Sequence, residues 1–258
     1  MKLLFNYLSM HLKTCIEYKS SFIMVLISQV LYMLIELFAI YALFTKFQLL
    51  DVYDINKLLL GFSTIWLGYS ITEIFGRGFD QFSKIIVNGE FDLLLIRPRN
   101  IFLQILGTNI AYEKSGRALV ALGLFIYSSI KLIKNFTLLK ILLLFNMIIG
   151  CIIVIMSLFI IGASICFLTV QGLEVINIFT NGTKQVSEYP IGIYNKIVKF
   201  FFTFIIPITL INYYPIDYLI GDTNNILYVF MPLIPIILLI LSTFIFKLGM
   251  RKYCSTGS

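Results

Sequence analysis

The sequence has one histidine, His11, and one tryptophan, Trp66, in 258 residues. A single histidine near the start of the chain leaves no Ser–His dyad and no H-E-x-x-H zinc motif. No G-x-S-x-G nucleophile turn occurs. Gly182-Thr183-Lys184 lacks the upstream glycine of a phosphate-binding loop. Catalytic, metal and cofactor residues are therefore expected to be none. The four cysteines, Cys15, Cys151, Cys166 and Cys254, form no C-x-x-C and no disulfide framework. Charged residues make up only 13% of the chain, against about 25% in soluble domains. No internal repeat, low-complexity tract, soluble domain or cleavable signal peptide is apparent.

What the chain has instead is apolar bulk. AVILMFWYC account for 59% of it, with 24 Phe and 15 Tyr, and the mean hydropathy is +0.95. This surplus excludes a single water-soluble core and predicts an all-α polytopic membrane protein, residues 1–258 forming one transmembrane domain. Crossing about 30 Å of hydrocarbon takes about 20 apolar residues, and only helices or closed barrels satisfy their backbones there. Six spans are expected, at roughly 21–44, 57–75, 115–133, 141–166, 197–213 and 226–247. Pro207 should kink the fifth. Residues 101–112 are read as an interfacial elbow, with the third crossing starting near Ser115. Leu4, Phe5, Leu8, Leu12 and Ile16 recur at helical spacing opposite Asn6, Ser9, Lys13 and Glu17, so 1–20 reads as an amphipathic helix on the membrane face.

The formal charge of +7 does not point to nucleic acid, because the basic residues lie mainly between apolar runs. With both termini in the cytoplasm, 15 Lys and Arg fall inside, Lys184, Lys196 and Lys199 among them, and 5 fall outside. That bias sets the orientation. Charges within spans are costly and often functional. Glu36 lies deep in the first span and is a candidate pathway residue. Glu73, at the cytoplasmic end of the second, is a further candidate pathway or gate residue. Glu113 and Arg117, spaced i, i+4, are expected to pair.

The loop after the second span runs from Gly76 to Arg99. Phe79, Phe82 and Ile86 mark one face of a short helix, Asn88-Gly89 ends it, and Pro98 stops the next apolar run. A charged, helix-bearing loop of this kind suits docking onto a partner.

Gly89-Glu90-Phe91-Asp92-Leu93-Leu94-Leu95-Ile96-Arg97-Pro98 resembles the G-x-(apolar)-D-x-x-L-(apolar)-R-P signature of bacterial type-2 ABC transporter permeases. Tyr189-Pro190-Ile191-Gly192-Ile193-Tyr194, Phe204-Ile205-Ile206-Pro207, Tyr214-Pro215 and Leu219-Ile220-Gly221 are similar to that family's fifth-span region. The ending Tyr253-Cys254-Ser255-Thr256-Gly257-Ser258 resembles its Y-x-S-T-G-S tail.

The resemblance implies a six-span exporter permease in a bacterial plasma membrane. It would pair with a second, homologous permease and with separate ABC ATPase subunits that bind ATP. It also implies a coupling helix at about Phe79–Asn88 that seats in the ATPase. Phe79, Asp80, Phe82, Lys84, Ile86 and Glu90 fall in or beside it, and Gly89, Asp92, Arg97 and Pro98 hold the turn. The path would be lined by the first, second and fifth spans, with Pro207 and Pro215 as candidate gate residues. Two other readings compete. One is an ion-coupled secondary transporter, supported by Glu36. The other is an intramembrane enzyme or membrane assembly factor.

Overall fold

The computed structural model describes residues 2–46, 54–133, 135–169, 172–187, 189, 192, 194–223 and 225–254. Every regular element among them is helical. Five helices are long and apolar enough to cross a membrane. They are α2 (Lys19–Lys46), α3 (Ile55–Asp80), α7 (Ser115–Leu132), α8 (Leu138–Ile165) and the run of α12 (Leu227–Phe230) into α13 (Ile236–Arg251).

The central element is α3. Its most apolar stretch is 83% buried inside the chain, against 11% for α2 and 28% for the last span. α7 and α8 pack along it. α2 and α13 leave apolar faces open, with Ile35, Phe38, Ile237 and Ile240 exposed, as lipid-facing helices require. Interrupted only at Gln81, α3 continues into α4 (Phe82–Val87). The 33-residue run from Ile55 to Val87 is about 50 Å long and overshoots about 30 Å of hydrocarbon.

Before the first span stands α1 (Lys2–Glu17), broken from α2 at Tyr18. It packs on α6 (Ile101–Thr108), where His11 Nε2 lies 3.1 Å from the Gly107 carbonyl. Nearby, the Tyr112 hydroxyl donates to the Leu8 carbonyl at 3.1 Å. A helix break falls where the elbow reading put the start of the next long helix. α6 ends at Thr108, a 3-10 turn spans Tyr112–Lys114, and α7 begins at Ser115. Arg117 does not pair with Glu113, because the intervening turn is not α-helical. It reaches Glu73 on α3 instead.

The expected fifth span is bent more sharply than a kink. Instead of one kinked helix over 197–213, α10 (Lys196–Phe200) runs through a π-helical turn (Phe201–Ile205). It then meets α11 (Thr209–Ile220) at 96° across Pro207. Pro207 has no N–H to donate and confines the preceding residue, so the break falls there. Pro215, the other candidate gate residue, lies inside α11 and is buried.

Residues 167–196, expected as a loop between two spans, are not all loop. They contain α9 (Gly172–Ser187), which packs against α8, α3 and α4. Its course can be followed by contacts. Phe167 packs on Phe82 at 5.2 Å between ring centres. Lys184 Nζ stands 4.2 Å from the Tyr69 ring centre. Val186 and Tyr189 share a cleft with Leu58 and Gly61. The chain therefore travels from the α4 end of α3 to its opposite end, about 30 Å at 1.5 Å per residue. Asp222, just past α11, bonds Lys57 at 3.0 Å. The chain therefore enters and leaves the bent pair at the same end of α3.

Candidate functional site

At the α4 end, the expected interaction loop is a compact hairpin. α4 stops at Asn88, and Gly89 takes a left-handed φ of 68°, which favours glycine. α5 (Glu90–Ile96) then leads back, with Glu90 and Asp92 in its first turn, where carboxylates suit the helix dipole. Asn88 Nδ2 donates to Glu90 at 3.2 Å. Arg97 and Pro98 end α5, and both are exposed. Buried Gln104 donates from Nε2 to the Leu94 and Arg99 carbonyls, each at 3.1 Å. Those two bonds pin the returning strand of chain to α6. Gly78 permits the close approach beneath: a Cβ there would overlap the Ile105 carbonyl.

The apolar face of this hairpin points inward, contrary to the expectation of a wedge for a partner. Phe79 and Phe82 are fully buried, and Ile86 nearly so. They join Phe91, Phe102, Phe167, Phe246 and Tyr253, with Phe82–Phe91 at 5.3 Å and Phe91–Tyr253 at 5.0 Å. Edge-to-face aromatic contacts at such spacings add to burial. The cluster draws on α3, α4, α5, α6, α13 and the segment after α8. Two motifs far apart in sequence, the Gly89–Pro98 stretch and the tail around Tyr253, thus meet in one knot. Ser255–Ser258 lie outside the described residues, as do Pro190, Ile191 and Ile193. What the hairpin exposes is a rim of Lys84, Val87, Asn88, Glu90, Leu93, Ile96 and Arg97.

One to two turns before the knot, Glu73 is buried between two arginines. Arg77 Nη1 donates to it at 3.1 Å and to half-buried Asp80 at 2.8 Å. Arg117 on α7 donates to its other oxygen. The Arg117 guanidinium also sits 5.6 Å from the Trp66 ring centre, and Lys184 lies 5.3 Å from the same ring. Helices α3, α7 and α9 therefore meet at one charged and aromatic node. Glu73 is enclosed in this network and does not face an open path.

Glu36 is half-buried beside the inward stripe of α2 formed by Met33, Ile40 and Phe44. It makes no ion pair among the described residues.

At the other end of α3 is a cleft of about 370 Å³ between α3, α9 and α11. Sequence reading did not find it. Leu58, Val186, Ile208 and Ile216 wall it, and Asp54, Lys57, Asn212 and Asp217 bring polar groups. Pro207 adjoins it at the break before α11, and Pro215 lies on α11 within the buried side. The polar residues of α9 are the second missed feature. Asn177, Asn181 and Gln185 are exposed at i, i+4, i+8 spacing. Such a stripe lowers hydropathy below the level by which spans are recognised, although its period alone could have signalled it.

An all-helical chain with five or six candidate crossings, a standing hairpin at one end and a cleft at the other is a multi-pass membrane transporter in outline. The model of the ABC-2 family transporter proteins matches residues 30–257, and the chain belongs to that family of transporter membrane subunits. Neither the curated proteins nor the solved structures yield a match.

Proposed function

We propose that this chain is the permease of an ATP-driven exporter in a bacterial plasma membrane, with both termini cytoplasmic. ATP is bound by separate ABC ATPase subunits, and a second permease, identical or related, completes the path. The observation that carries this reading is the hairpin of α4 and α5. It ends a 33-residue helical run longer than one crossing needs, is stiffened by an aromatic knot, and keeps an exposed apolar and charged rim.

Force applied to that rim has a direct route. The Gln104 bonds and the Phe82 cluster bind the hairpin to α3, α6 and α13, so the hairpin cannot move alone. Through α3 the displacement reaches Glu73, which grips α7 through Arg117. It also reaches Trp66 and Tyr69, on which Lys184 of α9 rests. Closing the ATPases would thus shift α7 and α9 against α3.

The path is formed where α9, packed on α3, turns Asn177, Asn181 and Gln185 outward, with Glu36 of α2 as a further lining candidate. Polar side chains exposed on a crossing helix are costly against lipid and favour a watered path or a second protein. In this arrangement α9 is the fifth crossing, and the α10–α11 pair dips in from outside, with Pro207 at its turn. Lys196 and Lys199 then lie outside, and the positive bias toward the cytoplasm weakens but keeps its sign.

The test is capture of the ATPase by the purified permease. Val87→Asp combined with Ile96→Asp should insert and melt like the wild type yet lose capture at least tenfold, since both positions are exposed. Phe82→Ala should lower stability instead, by about 3–5 kcal/mol for a buried Phe truncation. Full capture and export by the rim double variant would exclude the hairpin as the coupling element.

A further inference from the structure

The cleft at the outer end of α3 has a lopsided chemistry. Asn212 is only 9% exposed. Its Nδ2 donates to the Gly61 carbonyl at 3.1 Å, which fixes the amide orientation. Asn212 lines the cleft, and its Oδ1 is buried with no hydrogen-bond donor among the described residues. An unfilled buried acceptor is costly and is met by a ligand that brings a donor.

The charges agree. Lys57 is the one cation among the described lining residues, and it is held by Asp222 at 3.0 Å. Asp54 spends its carboxylate on the N-cap of α3, accepting from the Asn56 N–H at 2.9 Å. Asp217 is half-buried and lines the cleft, and its carboxylate makes no hydrogen bond or ion pair among the described residues. The site therefore offers surplus negative charge and an unfilled acceptor, inside walls supplied by Leu58, Val186, Ile208 and Ile216. A volume of about 370 Å³ lies within the span of small-molecule sites, which is about 300–1,000 Å³.

We infer that this cleft binds amphipathic ammonium compounds, with the N–H groups donated to Asn212 Oδ1 and the Asp217 carboxylate and the apolar body against the α3, α9 and α11 walls. The assignment rests on the exporter reading only in making this molecule a cargo at its outer station. Binding itself requires no ATPase.

The experiment uses the full chain in lipid nanodiscs and dansylcadaverine, a primary ammonium on an aromatic body. Its N-acetyl derivative serves as the neutral control. Fluorescence anisotropy should show saturable binding of the amine and at least tenfold weaker binding of the acetylated form. Asp217→Asn and Asn212→Leu should each weaken the amine at least tenfold. Asp217→Asn leaves the Asn212–Gly61 bond in place, so its loss of binding cannot be put down to a disturbed α3–α11 contact. No saturable binding, equal affinity for the two probes, or wild-type affinity in Asp217→Asn would each overturn the assignment. ATPase capture is measured in parallel. Binding without capture would sink the exporter reading and leave the cleft assignment standing; capture without binding would do the reverse.

Discussion

Glu73 is the residue on which most of the interior depends. Its two oxygens receive Arg77 and Arg117, and both its side chain and that of Arg117 are about 7% exposed or less. A pair so enclosed contributes little when intact, but removing one member strands the other. Glu73→Ala should therefore destabilise by about 3–5 kcal/mol, read as a fall in the thermal unfolding midpoint. Replacing Glu73 and Arg117 together, by Gln and Met, should recover part of that loss; no recovery would mean that the pair is not coupled. A second residue-scale outcome concerns the thiols. Burial, and then the Glu113 carboxylate, push the Cys15 thiol above its ordinary value near 9.0, whereas Cys254 is exposed. Since only the thiolate reacts, Cys254 should alkylate first at pH 8, and the Cys15 rate should still be climbing beyond pH 9. Equal rates at pH 8 would contradict the placement of Cys15 against the elbow.

Among the elements, those that the sequence foretold share one property: their signal is local. The long apolar runs became α2, α3, α7 and α8. Asn88-Gly89 ended a helix because a left-handed residue was needed there, and the start of α7 at Ser115 followed from the charges just before it. The failures are of another kind. Phe79, Phe82 and Ile86 do form one helix face, but periodicity cannot say whether a face covers the chain's own core or a partner. Only the arrival of Phe167, Phe246 and Tyr253 from distant segments decides it. In the same way, α9 escapes a hydropathy reading because Asn177, Asn181 and Gln185 dilute it. At this scale the knot makes a prediction. Gly78→Ala should force α6 off α3, since backbone stands where the methyl would go, at about 1–3 kcal/mol for such overpacking. Limited proteolysis of the α4–α5 hairpin would then quicken. Unchanged protection would show that the close α3–α6 packing is not what holds the hairpin.

The whole molecule is polarised along α3. One end carries the aromatic knot and the charged rim; the other carries the cleft, Lys57 and the return of the chain at Asp222. Between them lies a node where α3, α7 and α9 meet at Glu73, Trp66 and Tyr69. Under the proposed reading this polarity turns a push on the hairpin into movement at the cleft, and that reading requires α9 to make the crossing in place of the bent α10–α11 pair. Thiol labelling of intact cells tests that directly, using single cysteines at Lys196, Asp222 and Glu90 in a chain stripped of its four native ones. The account predicts that an impermeant reagent modifies positions 196 and 222 from outside and reaches position 90 only after the membrane is opened. Protection of position 196 with labelling of position 222 would mean that residues 196–220 cross the membrane, that α9 does not, and that the proposed path is wrong.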